Sequence, residues 1–125
     1  MKSLVLVLLF TIGVSLIPSK TIVYVSEPPS FKVVTAEVSA YTSSKDETDH
    51  DPFTTASGSK TGPGIIACPA HLEFGTRVEI EGKVFVCEDR MNKRYRHREV
   101  YDIWVQSKEI AYEWGRKTLD IKIYE

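Results

Sequence analysis

Residues 77–88 read RVEIEGKVFVCE, and this stretch decides the fold class. Apolar and polar residues alternate on both sides of Glu81 and Gly82, which is the pattern of two half-buried strands joined by a two-residue hairpin turn. Outward from this hairpin, β-branched and aromatic residues predict further strands at 31–42, 65–68, 100–105 and 119–124. We expect a bulge near Ala36 in the first of them. The chain is therefore predicted to be mainly β.

One short helix is predicted near the C-terminus. Ser107 is a suitable N-cap, Gly115 marks the C-terminal end, and one face carries apolar side chains, namely Ile110, Ala111 and Trp114. Six or seven short strands with one helix favour a small closed barrel over an open sheet, because closure removes exposed edges. We expect the helix to pack over one end of this barrel.

Size and charge limit the functions open to the chain. Its 125 residues, 42% apolar and 26% charged, fit one ordinary globular domain, which we expect to be a monomer. The formal net charge of -1 lacks the basic excess of a general nucleic-acid binder. We therefore expect no nucleic-acid partner and only local charge recognition.

The N-terminal segment 1–25 is predicted to be a signal peptide or a membrane anchor. Lys2 precedes an apolar run, 4–17, whose length of about 14 residues suits a signal peptide and falls short of the ~20 needed to span a bilayer. Cleavage is the simpler interpretation, but a second apolar patch at 21–25 leaves an uncleaved anchor open. A buried N-terminal helix is a third interpretation, which the poor helix formers of this segment oppose. Residues 26–30 then form a proline-containing linker, and 31–125 form the exported domain.

The chain has two cysteines, Cys68 and Cys87. Export leads to an oxidising compartment, so we predict that they form a disulfide, which closes a loop of about 20 residues. Two buried free thiols remain the alternative. A thiol nucleophile or a zinc site at Cys68 and His71 is not favoured, because the further partners or ligands are missing. We expect no metal.

Two carboxylates are the candidate catalytic groups. Asp102 lies in the apolar stretch 100–104, where burial would raise its pKa toward that of a general acid. Asp89 ends an earlier strand and is expected to neighbour Asp102 across the barrel. Two carboxyls in different environments are the usual equipment for cleaving a glycosidic bond. The structural alternative is that each aspartate pairs with an arginine such as Arg90 or Arg116.

Two loops supply further candidates. The loop 90–98 carries five cationic side chains, which either are simply solvated or grip an anionic polymer while Tyr95 stacks on a sugar ring. The hydroxyls of Thr55 and Ser57 could bind sugar hydroxyls or cap their own turn. The acidic loop 43–52 is interpreted as solvated surface, because it lacks the spacing of a calcium loop.

Several short motifs occur in an order and spacing that resemble the three-aspartate (3D) domain family. They are Ala40-Tyr41-Thr42, Thr55-Ala56-Ser57-Gly58, Phe74-Gly75-Thr76, Glu88-Asp89-Arg90, Tyr101-Asp102-Ile103-Trp104 and Trp114-Gly115-Arg116. The similarity covers roughly 34–124 and implies a double-psi β-barrel, like the catalytic barrel of membrane-bound lytic transglycosylase A and of stationary-phase-survival muralytic proteins. The second and third family aspartates fall on Asp89 and Asp102. The first does not carry over, because Cys68-Pro69 stands where the family has Asp-Pro.

The resemblance implies cleavage of the β-1,4 bond between N-acetylmuramic acid and N-acetylglucosamine in peptidoglycan, without metal or organic cofactor. Asp102 would act first as acid and then as base to give a 1,6-anhydro product, and Asp89 would orient it or stabilise positive charge. We expect substrate contacts from aromatic, hydroxyl and cationic side chains, namely Tyr41, Thr55, Ser57, Arg90 and Tyr95. The strongest rival is a non-catalytic wall-binding module of the expansin or rare-lipoprotein-A type. A glucan hydrolase of the same barrel class and a secreted inhibitor or adhesin also remain open.

Overall fold

The computed structural model describes residues 12–47 and 50–125, in which strands close into a barrel. The strands in chain order are β1 (Phe31–Tyr41), β2 (Ile65–Cys68), β3 (Arg77–Ile80), β4 (Lys83–Arg90), β5 (Val100–Trp104) and β6 (Lys117–Tyr124). A 3₁₀ turn (Lys93–Tyr95) precedes β5, and one helix, α1 (Lys108–Trp114), precedes β6. The predicted small all-β barrel with a short helix near the C-terminus is confirmed, with six strands among the described residues.

Around the barrel the strands follow the order β1-β5-β2-β4-β3-β6. The pairs β1/β5 and β2/β4 are parallel, and the other neighbours are antiparallel. Strand β2 therefore lies between β5 and β4, although both partners come later in the chain. This crossing of connections brings distant parts of the sequence, 65–68, 83–90 and 100–104, into one continuous wall.

The barrel interior is filled by apolar side chains from alternate positions of the strands. The largest fully buried ones include Tyr101, Ile66, Ile80, Ile121 and Val38. Alternation places the intervening residues of each strand on the outer face. The interior is thus a packed core, and polar groups of the wall have to face outward.

The hairpin that decides the fold forms as predicted. Strands β3 and β4 pair antiparallel from Arg77↔Val86 to Ile80↔Lys83. The two turn residues both have positive φ, 49° at Glu81 and 78° at Gly82. A two-residue hairpin turn with this backbone matches the right-handed twist of the strands it connects. Glycine suits the second position because it adopts positive φ without strain.

Two details of the strands differ from expectation. The bulge expected near Ala36 is absent, because β1 pairs with β6 without interruption from Phe31↔Tyr124 to Val38↔Lys117. The register instead shifts between Ile66 and Ala67, where β2 pairs with β4. The same long pairing with β1 extends β6 two residues before its predicted start, to Lys117.

The helix has the predicted ends. The Ser107 hydroxyl accepts a hydrogen bond from the Ile110 N–H at 3.3 Å, and Gly115 ends the helix with φ 69°. Trp114 packs against the core, and its indole N–H donates to the Val38 carbonyl at 3.2 Å. This contact fixes α1 against β1.

Cys68 and Cys87 form the predicted disulfide, with their Cα atoms 5.9 Å apart. Both side chains are fully buried within the apolar core. The bridge connects β2 to β4 at the level where their register shifts. The alternative of two free thiols is therefore wrong.

The segment preceding the barrel has no helix or strand over residues 12–30, and its apolar side chains are exposed. The first 11 residues of the predicted signal peptide or anchor lie outside the described residues. Within 12–47 and 50–125, no helix is long and apolar enough to cross a membrane.

Candidate active site

Strand register brings the two candidate acids to the same level of the barrel wall. Ser39 of β1 pairs with Asp102 of β5, and Asp102 in turn pairs with Ala67 of β2. On its other side Ala67 pairs with Asp89 of β4. Because neighbouring strands lie about 4.8 Å apart, the two aspartate Cα atoms are separated by about 10 Å, with the small Ala67 between them.

This row faces the outside of the barrel. Residues on either side of Asp102, Tyr101 and Ile103, belong to the interior core, as do Ile66 and Cys68 on either side of Ala67. The expectation that the acids neighbour each other across the barrel is therefore wrong. They lie on the outer face because the interior is packed with apolar side chains, where a charge would be costly.

The register shift between β2 and β4 determines which way Asp89 points. Ile66 pairs with Cys87 and Ala67 pairs with Asp89, so Glu88 is the extra residue of a bulge. Cys87 faces the core, and strict alternation would turn Asp89 inward as well. One extra residue reverses the alternation and places Asp89 beside Ala67 on the outer face.

Asp102 is half-buried, and its surroundings favour the protonated carboxyl. Burial is the largest influence and raises its pKa, while the Ser39 hydroxyl, which donates to Oδ1, and the charge of Arg116 lower it. The balance leaves the pKa above its usual value. Among the described residues, the Ser39 hydroxyl is the hydrogen-bond donor to this side chain, and it donates to Oδ1. A carboxyl in this state is suited to give up a proton.

Asp89 is held as a hydrogen-bond acceptor. The Tyr41 hydroxyl donates to Oδ2 at 2.8 Å, and the N–H groups of Ala56 and Arg90 donate to Oδ1 at 3.0 and 2.9 Å. Burial and the neighbouring Asp89 carboxylate raise the pKa of Tyr41, so its hydroxyl remains a donor. Asp89 is thus fixed in position by three donors.

Among the described residues, neither Arg90 nor Arg116 forms a salt bridge with Asp89 or Asp102. Arg116 pairs with Glu37 at 3.0 Å. The Arg90 guanidinium lies 4.0 Å from the centre of the Phe74 ring and donates to the Pro69 carbonyl at 3.1 Å. The structural alternative of aspartate–arginine pairs is therefore not what the structure shows.

A cavity of about 620 Å³ opens over the row of aspartates. The loop between β1 and β2 forms one wall, and the loop after β4 forms the other. The lining includes five of the predicted site residues: Tyr41, Thr55, Asp89, Arg90 and Asp102. The structure therefore gathers most of the candidate residues around one open, polar space.

Ser57 and Tyr95 are not part of this lining. The Ser57 hydroxyl donates to the Glu88 carboxylate, and the Thr55 hydroxyl lies 3.0 Å from Ser57 and 2.8 Å from Ser59. These hydroxyls therefore bond to one another and fasten their loop to β4. Tyr95 packs against the apolar cluster that contains Tyr41 and Met91. Whether any of these side chains binds substrate stays a prediction.

Sequence reasoning missed several residues that surround the acids. Ser39 carries a signal that could have found it, because it lies two residues before Tyr41 and so on the same strand face. Glu47 lines the cavity and accepts hydrogen bonds from the N–H and hydroxyl of Thr42, so the acidic loop is more than solvated surface. Its position depends on loop folding, for which the sequence pattern gives no signal.

Ionisable side chains from two loops also line the cavity. Lys93 and Arg96 come from the basic loop, and His50 and Asp51 come from the acidic loop opposite. In the described ranges, no three His, Cys, Asp or Glu side chains are grouped so that they could hold a metal ion.

In comparisons with known proteins, no family model matches the chain and no curated protein matches it.

Proposed function

We propose that this protein is a lytic transglycosylase that cleaves the β-1,4 bond between N-acetylmuramic acid and N-acetylglucosamine in peptidoglycan. The observation that carries the proposal is the placement of Asp89 and Asp102 in two different environments on the floor of one open cavity. Enzymes that break glycosidic bonds commonly use two carboxyls whose surroundings separate their tasks. The motif resemblance to the 3D family supports the choice of substrate.

In the proposed reaction Asp102 serves as both acid and base. Burial raises the pKa of Asp102, which favours the protonated form that the first step needs, and the proton passes to the glycosidic oxygen as the bond to muramoyl C1 breaks. The resulting carboxylate then takes the proton of the muramoyl C6 hydroxyl, whose oxygen bonds to C1. The products are a 1,6-anhydro sugar and a free 4-hydroxyl, and Asp102 is protonated again. No water or further reactant is consumed.

Asp89 has a different task in this proposal. Its two carboxyl oxygens already accept three hydrogen bonds, which fix its position. It is better placed to stabilise the positive charge that develops on the sugar ring as the bond breaks. Tyr41 and the two backbone N–H groups would hold it still, so that little reorganisation is needed at the moment of reaction.

The size and polarity of the cavity suit a saccharide substrate, and so does the location outside the cytoplasm that we propose for the protein. Its volume of about 620 Å³ lies within the usual range of ligand sites, and polar groups dominate its lining. Peptidoglycan lies outside the cytoplasm, so the proposal includes export by the N-terminal segment. The disulfide suits an oxidising compartment of that kind.

A non-catalytic wall-binding module is the second candidate function. The observation that favours it is the cysteine at position 68, where the resemblance places the first family aspartate. However, the Cys68 side chain is fully buried in the barrel core, whereas Asp89 and Asp102 face the cavity outside. A side chain at this position would point away from the proposed site, so its loss leaves the pair of acids complete.

The test is to incubate the purified full-length protein with peptidoglycan and to identify the soluble products by mass spectrometry. We expect anhydro-muropeptides, with a loss of at least about a hundredfold in Asp102→Asn, as for removal of a general acid. Asp120→Asn is the matched control, because Asp120 is an exposed strand carboxylate outside the cavity.

Three outcomes would contradict the proposal. Reducing-end sugars in place of anhydro sugars would indicate a hydrolase that uses water. Binding to the wall without released fragments would indicate the binding module. Equal activity in Asp102→Asn and the parent would remove Asp102 from the chemistry.

A further inference from the structure

The basic wall of the cavity has no task in the acid–base step. Three cationic side chains line the cavity: Arg90, Lys93 and Arg96. Arg90 is occupied by Phe74 and Pro69. Arg96 uses only its Nε, which donates to the Met91 carbonyl at 3.0 Å. Among the described residues, the terminal nitrogens of Arg96 and the ammonium of Lys93 have no hydrogen-bond or ion-pair partner.

These two cations are carried by an ordered part of the loop. The Asn92 side chain caps the 3₁₀ turn by accepting from the Arg94 N–H at 3.2 Å. The Arg96 carbonyl accepts from the Ala70 N–H at 2.8 Å, which fastens the loop to the end of β2. Tyr95 packs against the apolar cluster that contains Tyr41 and Met91, which anchors the turn. The loop thus places Lys93 and Arg96 at the cavity. The Lys93 ammonium and the terminal nitrogens of Arg96 remain able to donate hydrogen bonds to a ligand.

The described carboxylates of the acidic wall opposite, Glu47 and Asp51, do not pair with these cations. Glu47 accepts from the N–H and hydroxyl of Thr42. Asp51 accepts from the Phe53 N–H at 3.0 Å and from the Thr54 hydroxyl at 2.6 Å. These two carboxylates are therefore hydrogen-bonded within their own loop. Lys93 and Arg96, across the cavity, remain able to bind an anionic group.

We propose that Lys93 and Arg96 form a subsite for a carboxylate of the substrate, so that the protein prefers glycan carrying its peptide stems over bare glycan. This inference rests on the proposed function. A peptide stem is attached to the muramoyl residue, next to the bond that would be cleaved, and carries free carboxylates. The guanidinium fork of Arg96 matches a carboxylate in geometry, and Lys93 adds a mobile point charge.

The experiment compares two pairs of substitutions that remove the same charge from the same loop. Lys93→Gln/Arg96→Gln removes the proposed subsite. Arg94→Gln/Arg98→Gln is the matched control, because both guanidinium groups lie 5.8 Å from the Tyr95 ring centre and neither lines the cavity. Each pair is made in full-length Asp102→Asn protein, so that binding is measured without turnover.

The probes are soluble glycan strands with peptide stems and the same strands after an amidase has removed the stems and the lactyl carboxylates that this exposes have been converted to neutral amides. We expect the subsite variant to bind the stemmed strands about tenfold more weakly, equivalent to about 1.4 kcal/mol. The control should stay within about twofold, and bare strands should bind alike to all proteins, since exposed charges contribute mainly where geometry pairs them.

Three results would overturn the inference: an equal loss for bare strands, an equal loss in the control pair, or stronger competition by a phosphate-bearing wall polymer than by stemmed strands. The proposed function fails separately, on the absence of anhydro products from the protein with Asp102 intact. A binding difference without such products would leave the subsite standing and refute the chemistry.

Discussion

The disulfide should carry a large part of the stability of the barrel, and its reduction is the perturbation we would examine first. Cys68 and Cys87 are separated by 19 positions in sequence, and both are fully buried. The bridge fastens β2 to β4 beside the bulge that turns Asp89 toward Ala67. Reduction therefore tests both the stability of the wall and the support of the site.

The expected magnitude follows from the loop that the bridge closes. A loop of about 20 residues reduces the entropy of the unfolded chain by about 11 cal/mol/K in the chain-entropy model, or about 3.3 kcal/mol near 25 °C. A domain of about 95 residues typically has an unfolding free energy of roughly 5–14 kcal/mol. Loss of the bridge should therefore remove between about a quarter and two thirds of the total.

The assay is urea unfolding of the oxidised protein and of protein reduced in denaturant and refolded in reductant. The two samples differ only in the sulfur–sulfur bond, so no side-chain volume is lost. We expect the unfolding free energy to fall by about 3 kcal/mol and the urea dependence to steepen, because the reduced chain exposes more surface when unfolded. A fall of less than about 1 kcal/mol would refute the reasoning, since the closed loop would then not restrict the unfolded chain as the chain-entropy model requires.

Two substitutions test the site more directly. In Ser39→Ala, the hydroxyl that lowers the pKa of Asp102 is removed, so that pKa should rise further. Because the first proposed step needs protonated Asp102, the alkaline limb of the pH–activity profile should move to higher pH; an unchanged limb, or a shift to lower pH, would contradict this. In Ala67→Leu, extra volume enters the cavity floor between the two acids at a side chain that is only 4% exposed. We expect the unfolding free energy in urea to fall by about 1–3 kcal/mol and the amount of soluble anhydro-muropeptide to fall strongly. Unchanged cleavage would show that the substrate does not reach the cavity floor at Ala67.

Local sequence patterns predicted most of the fold. The Glu81-Gly82 turn, the Ser107 cap and Gly115 are local signals, and the structure contains each of them. Strand ends were less predictable, because they depend on partners far away in the chain. Strand β6 starts at Lys117 since β1 offers 11 residues for pairing, which no pattern within β6 reveals.

The candidate acids could be picked from the sequence, but their relation to each other could not. An aspartate between apolar neighbours indicates an unusual environment, and Asp102 has one. Its distance from Asp89 depends on the order β5-β2-β4, which is a property of the whole barrel. The expectation of contact across the interior ignored that a barrel of this size is filled by its own side chains.

The bulge beside Ala67 shows that the site depends on a one-residue shift in the register between β2 and β4. Without the bulge at Glu88, strict alternation along β4 would turn Asp89 toward the core, on the same face as Cys87. On the outer face, Tyr41 and two backbone N–H groups donate hydrogen bonds to Asp89, whereas the described side chains around Cys87 in the core are mainly apolar. A buried carboxylate without such donors would be costly, so the bulge and the hydrogen bonds stabilise the same arrangement. The disulfide at the same level adds a covalent constraint, which makes this short β2/β4 contact the structural basis of the proposed chemistry.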